Sequence, residues 1–364
     1  MAQHGEVFSS EVRCSGGTFF PKITLKVFEF VANYEKLAPH ILQFPPSSQV
    51  SLTGTVKIHG VHLDLVIHSD NTVRLQSRYA SNIGLENDVY GFAKQMLPRQ
   101  EEIADLRARY ISRYKELNPN TEISLEAPLI IAGEWIGRGI NKGVAVCELP
   151  NCFVIISVCV NYKWIPDEPY SMISNEAAGI YNISRGGFYK ATIDIASEKT
   201  LATSMEILQS HNLAVEGNCP FARALGIIGA GEGIVWKAEH PLSENSRLWF
   251  KTKGPLYNSR RRIEKLQSDN PRVLVKVLAE DFVTEARLDQ AFYYLLETSI
   301  VPNQQSETEF LSWLLGDVEA EERNEITEMK IDLGLLRAEV RRIGHEWFSE
   351  KLIRLSKALN NTEG

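Results

Sequence analysis

From residue 48 to about 255 the chain sets short apolar or alternating runs between Gly, Asn, Asp and Pro. The runs "QVSLTGTVKI", "HLDLVIH", "TVRLQSR", "LIIAGEWIG", "CFVIISVCVNY", "EGIVWKA" and "RLWFKTKG" predict strands, because period-two alternation presents one apolar side of a pleated ribbon. Helical spacing interrupts them at 88–117, with a break at Pro98, and at 199–212. After about residue 258 the pattern changes. "DQAFYYLLETSI", "ETEFLSWLLGDVEAEERNEI" and "MKIDLGLLRAEVRRIGHEWFSEKLIRLSKAL" space their apolar residues three and four apart, without strand alternation. The expected fold is α+β: a mixed domain over 1–257, then a smaller, all-helical domain over 258–364. The length of 364 residues agrees with about two domains.

Composition narrows the class. Apolar residues at 44% and charged residues at 23% are those of a globular protein. No segment approaches the roughly 20 consecutive apolar residues that span a bilayer, so an intracellular protein without a membrane partner is expected, cytoplasmic first and nuclear second. A formal charge of −7 argues against coating nucleic acid through bulk electrostatics and leaves room for a local basic site. Two basic stretches nearly adjoin, "FKTKG" (250–254) and "SRRRIEK" (259–265). The five cysteines, at 14, 147, 152, 159 and 219, lack the paired short spacings of zinc or redox motifs. Cys147, Cys152 and Cys159 fall in an apolar stretch and read as core thiols.

The strand "TVKIHGVHLDLVI" (55–67) carries Lys57 and His59 immediately before Gly60. A lysine among apolar neighbours either snorkels to water or, with its charge penalised by burial and nearby cations, becomes a nucleophilic amine. If such an amine attacked a phosphoryl group, the site would need cations for the phosphoryl oxygens and a carboxylate for a divalent metal. "EGIVWK" (232–237) offers Glu232, and Lys251 and Lys253, two apart in an extended run, project to one face. His62 and Asp64 also share a strand face, but no third ligand is evident and zinc is not expected.

Taken together and in this order, "KIHG" (57–60), Ser77 with Arg78, "GEWIGRGI" (133–140), "FVIISV" (153–158), "EGIVWK" and "FKTKG" resemble the nucleotidyltransferase motifs of ATP-dependent polynucleotide ligases, above all the RNA ligase 2-like branch. His59 points to that branch, where DNA ligases and capping enzymes carry aspartate. The resemblance implies an adenylyltransferase domain of antiparallel sheets with flanking helices. It also implies an RNA ligase that joins 5'-phosphate and 3'-hydroxyl ends through a lysyl-AMP intermediate and an adenylylated RNA. Lys57 would attack the α-phosphate of ATP; Lys251 and Lys253 would contact that phosphate. Glu232 would hold Mg²⁺ or Mn²⁺, and Ile58, His59 and Gly60 would line the nucleotide. Phe153 would stack on one adenine face and Val235 on the other, while Glu134 and Arg78 would meet the ribose and the strand ends. The implied partner is RNA, including nicked duplex, and the chain is expected to act as a monomer.

Three features depart from the pattern. His62 stands where family members often carry a small amide, which bears on recognition of the 5'-phosphate. Residues 161–231 match no motif, and the C-terminal part is helical where DNA ligases and capping enzymes usually continue into an OB barrel. The competing readings are a pseudo-ligase that binds nucleotide or RNA ends without sealing, and a DNA ligase or capping-type enzyme.

Overall fold

The computed structural model describes residues 17–254 and 271–360. In chain order the elements are α1 (Val27–Ile41), β1 (Gln49–Lys57), β2 (Val61–Ile67), β3 (Val73–Ser77), α2 (Phe92–Met96), α3 (Gln100–Leu117), β4 (Leu129–Ile136), β5 (Cys152–Val160), β6 (Lys163–Trp164), β7 (Ile180–Asn182), β8 (Tyr189–Asp194), α4 (Glu198–Gly217), α5 (Pro220–Ala224), β9 (Gly233–Ala238) and β10 (Trp249–Lys253). Helices follow: α6 (Pro271–Phe282), α7 (Glu285–Glu297), α8 (Glu307–Glu321), α9 (Arg323–Glu328) and α10 (Leu333–Asn360). The described chain divides into two compact units, 17–85 with 90–254, and 86–89 with 271–360. The boundary expected at 257/258 lies outside the described residues, as do Cys14 and the "SRRRIEK" stretch.

The first unit holds two sheets. One is four-stranded, in the order β10-β9-β1-β8; the other runs β3-β2-β4-β5-β6, with β7 added beside β5. Every pairing is antiparallel except the three-residue β5–β7 contact, which is parallel. The period-two rule assigns the faces of the larger sheet. Odd positions of β2 and β4, among them Leu63, Leu65, Ile131 and Trp135, pack with Phe92 and Met96 of α2 and Ile103, Leu106 and Tyr110 of α3. Even positions, Val66, Ile130 and Ala132, join Phe20, Trp164 and Trp249 in a second cluster, so this face looks toward the four-stranded sheet.

β2 is thus covered on both sides, and residues 62–67 are all buried. The half-buried strand suggested by its alternation is instead a central one. The predicted break at Pro98 is a short 3-10 turn, Leu97–Arg99, between α2 and α3. Five elements of the first unit lie outside the predicted set: α1, the short strands β6 and β7, β8, and the short helix α5. α1 buries Val27, Phe30, Tyr34 and Ala38, a legible 3-4-4 spacing. β8 is an edge strand in which exposed Lys190 and Thr192 leave Ile193 as the one buried apolar position, a weak signal.

Lys237 of β9 ties the two sheets together. Its Nζ donates to both carboxylate oxygens of Asp167, at 2.7 and 2.9 Å, and to Ser157 Oγ of β5 at 2.7 Å. It also lies 4.3 Å from the centre of the Trp249 ring. Burial raises the Asp167 carboxyl against the opposing pull of Lys237. Both partners are under 10% exposed.

The second unit is all helical among its described residues. Leu278, Phe282, Leu288, Phe292, Phe310, Leu314, Val340 and Phe348 form its core, and Phe310 stacks on Trp347 and meets Phe348 at 4.6 Å.

Removing one partner of a buried ion pair strands the other charge away from water. Lys237→Ala is expected to cost about 3–5 kcal/mol of stability, read by urea unfolding, while Lys237→Ala combined with Asp167→Ala recovers part of the loss.

Candidate active site

Three separate segments deliver charge to one point. β1 ends at Lys57, β9 begins just after Glu232, and β10 ends at Lys253. In register, Lys57 faces Gly233 and Gly233 faces Lys253; one step along, Thr55 faces Val235 and Val235 faces Lys251. Directly paired residues, and residues two apart, share a face. Lys57, Lys251, Lys253 and Val235 therefore lie on one side of the four-stranded sheet. This is also the side of Lys237 and Trp249, which meet the larger sheet.

At the end of this row Lys57 Nζ lies 2.5 Å from Glu232 Oε2, His59 Nδ1 lies 3.1 Å from the same oxygen, and Lys253 Nζ lies 3.3 Å from Glu232 Oε1. The Glu232 side chain is 4% exposed, whereas those of Lys57, His59 and Lys253 reach solvent. Burial alone would raise the Glu232 carboxyl. Lys57 and Lys253, with His59, override it and hold the group well below its ordinary range.

Two glycines make this convergence possible. A Cβ on Gly233 would strike Thr252 O at 2.1 Å, so β9 can lie between the lysine-bearing strands only without a side chain there. At Gly60 a Cβ would meet Trp135 O at 2.6 Å and Glu134 Oε2 at 3.0 Å, which sets the Lys57–Gly60 turn directly against β4. Asn141 fastens that turn by donating from Nδ2 to Gly60 O at 3.1 Å and to His59 O at 3.4 Å. Ile58 is buried beneath it.

On the larger sheet, His62 and Glu134 are directly paired across β2 and β4, with Nδ1 to Oε1 at 3.8 Å. Arg78 follows β3 and is close enough to oppose protonation of His62. His62 itself is enclosed: its Nε2 meets Asp64 Oδ1 at 2.9 Å and Thr18 Oγ1 at 3.0 Å, and its ring stacks on Phe20. Burial lowers the imidazole, but Asp64 and Glu134 outweigh it and the net shift is upward.

Phe153 is a correction. Across β4 and β5 it pairs with Trp135, while Glu134 pairs with Val154. Phe153 therefore points away from Glu134, fully buried against Phe92 at 5.5 Å and over Gly133. It is a core ring, not an adenine platform, and Val154 is the residue on the Glu134 side. "CFVIISVCV" is apolar at nearly every position and so does not reveal which parity faces which side. Sequence reasoning also missed Thr18 and Asn141, and it placed Asp64 beside His62 only to set a zinc site aside. The "NKG" turn after "GRGI" was the one available signal for Asn141.

The metal expectation is narrowed as well. Among the described residues no three His, Cys, Asp or Glu side chains gather as a metal cage. One buried carboxylate among lysines would offer a single protein ligand to a hydrated Mg²⁺ or Mn²⁺, which keeps much of its water shell. The four described cysteines are buried thiols; burial pushes Cys152 and Cys159 up to about 12.

The chain is similar to solved RNA ligases. A Naegleria gruberi RNA ligase mutant solved with ATP and Mn aligns with a TM-score of 0.34 at 13% identity, covering 57% of this chain and 51% of that one. An archaeal ATP-dependent RNA ligase aligns at 0.35 and 14%, covering 93% and 74%. A further Naegleria mutant, also with ATP and Mn, aligns at 0.39 and 13%, covering 69% and 60%. The chain thus spans about half the length of the first of these. No protein-family model and no curated protein matches it. At these TM-scores and identities the likeness bears no weight in the functional argument, which rests on the side chains around Glu232. No described helix is long and apolar enough to cross a membrane.

Because the Glu232 carboxyl is depressed from its ordinary value of 4.5, its contribution to stability is complete above that pH and is lost as pH falls through the lowered value. Glu232→Gln is expected to flatten the acid limb of the stability curve: wild type and variant differ most above about pH 5 and converge on acidification, as measured by urea unfolding from about pH 3 to 7.

Proposed function

We propose that this chain is an ATP-dependent RNA ligase acting through Lys57. The observation that carries the reading is the convergence of Lys57, His59 and Lys253 on the single buried carboxylate of Glu232, with Lys251 on the same sheet face. An isolated surface lysine has no reason to be held so, and two lysines on one strand face repel unless an anion lies between them. A phosphate group at the solvent-reaching ends of Lys57 and Lys253 would add a second anion beside Glu232.

In the first step the Lys57 amine, freed of its proton, attacks the α-phosphorus of ATP. An N–P bond forms, the bond to the bridging oxygen breaks, and pyrophosphate leaves with the electron pair. Lys251 and Lys253 stabilise charge on the α-phosphate as it builds. Val235 packs against the base from the sheet face it shares with Lys251, and Ile58 and Gly60 bound the nucleotide beneath. Glu232 would hold the hydrated divalent ion, which would supply positive charge at the phosphates. Glu134 and Arg78 contact the ribose and the RNA ends.

In the second step a 5'-phosphate oxygen of RNA attacks the lysyl-AMP phosphorus and Lys57 departs as the amine. In the third, a 3'-hydroxyl attacks the activated 5'-phosphate, the phosphodiester forms and AMP leaves. RNA ends in a duplex would be read through A-form shape, phosphates and 2'-hydroxyls, with the helical unit as a second grip on RNA. The chain is proposed to work as a monomer.

Incubation with α-labelled ATP and Mg²⁺ is expected to give a covalent AMP adduct that disappears in Lys57→Ala and falls about 10²–10³-fold in Glu232→Ala. The adduct should chase onto 5'-phosphorylated RNA, and ATP should be preferred to GTP and nicked RNA to nicked DNA. An adduct that survives Lys57→Ala, or none in the wild type, would sink the ligase reading. Stable GMP labelling would favour a capping-type enzyme, and labelling without transfer to RNA a pseudo-ligase.

The placement of Phe153 gives a separate test. Phe153→Leu is expected to lower stability by about 1–3 kcal/mol with KM for ATP unchanged in the adenylylation assay.

A further inference from the structure

His62 is buried, charged neighbours surround it, and none of the three reaction steps uses it. Its surroundings settle which of its nitrogens carry protons. Thr18 donates its hydroxyl to Asp64 Oδ2, so the threonine oxygen has only lone pairs left for His62. Asp64, wholly buried, accepts as a carboxylate through Oδ1. Nε2 therefore faces two acceptors, at 2.9 and 3.0 Å, and must itself carry a proton.

Nδ1 is the atom that remains. It is buried with no hydrogen-bond partner, and it points toward Glu134 Oε1 at 3.8 Å, an ion-pair separation rather than a hydrogen bond. A neutral ring protonated at Nε2 would turn a bare lone pair toward that carboxylate, placing two acceptors together in a dry site. A second proton on Nδ1 removes the conflict and makes the ring an imidazolium between two carboxylates. Arg78 is the cation that opposes it.

We propose that His62 is a positioning residue for Glu134: Asp64 and Thr18 fix the ring through Nε2, and Nδ1–H holds the Glu134 carboxylate against the Lys57–Gly60 turn, in the orientation that meets the ribose. The proposal rests on the ligase reading for the role of Glu134, but the His62–Glu134 pairing can be tested without it. It also accounts for His62 standing where a small amide would touch substrate directly. An enclosed imidazole cannot make that contact, and acts on substrate through its neighbour.

Two measurements decide it. In protein labelled with ¹⁵N at the imidazole nitrogens, both His62 nitrogens are expected to be protonated at neutral pH, and Glu134→Gln should lower the titration midpoint by about one pH unit. An unmoved midpoint overturns the pairing whether or not the wild type forms an adduct. In the adenylylation assay, His62→Gln is expected to raise KM for ATP about tenfold with kcat within threefold, and the His62→Gln, Glu134→Gln double variant should be no worse than Glu134→Gln alone. Multiplicative losses in the double variant, or a loss of thermal stability in His62→Gln with KM unchanged, would reduce His62 to a structural residue. Absence of any adduct in the wild type would refute the ligase reading and the ribose role of Glu134, while the titration would still judge the pair.

Discussion

A carboxylate almost wholly removed from water organises this protein's candidate site. Glu232 keeps its charge because Lys57, Lys253 and His59 approach it from different parts of the chain. Burial would otherwise favour the neutral acid, so the arrangement stands or falls as a set. Much of the surrounding fold serves to bring these groups together. β9 lies between β1 and β10 because Gly233 offers no side chain to obstruct the backbone of Thr252. Asn141 and the bare Cα of Gly60 hold the turn after Lys57 against β4.

A second buried charge pair lies two residues beyond Val235 and has the opposite character. Lys237 is saturated by Asp167 and Ser157 and covered by Trp249. It joins the sheets, whereas Lys57, Lys251 and Lys253 keep partial access to solvent. Lysines that look alike in sequence are thus divided by their partners. One whose charge is met by fixed, buried groups is structural, while Lys57 and Lys253 share the Glu232 carboxylate and still reach solvent.

The larger sheet repeats this economy of partners. Asp64 and Thr18 satisfy one edge of His62 and leave the other toward Glu134, so a group with no route to solvent can still bias one that lines the site. The odd-numbered face of the same strand packs only hydrocarbon, including Leu63 and Leu65. Parity separates His62 and Asp64 from Leu63 and Leu65, although the even side turns to core farther along at Val66, and an irregularity between Ala132 and Gly133, where β4 meets β5, shifts the register along β5.

What the sequence by itself determined is the local physics. Periodicity located most strands, the break at Pro98 and the helical character of the C-terminal part, because alternation and 3.6-residue spacing are properties of neighbouring residues. Motif order singled out Lys57, Glu232, Lys251 and Lys253, because each lies in a short stretch with its own charge and turn signals. Only the tertiary structure decided what depends on residues far apart in the chain. It put Thr18 beside His62 and Asp64, closed Lys237 onto Asp167, and turned Phe153 into the core. Strand pairing and register are long-range choices, and within a run as uniformly apolar as "CFVIISVCV" nothing local distinguishes one face from the other.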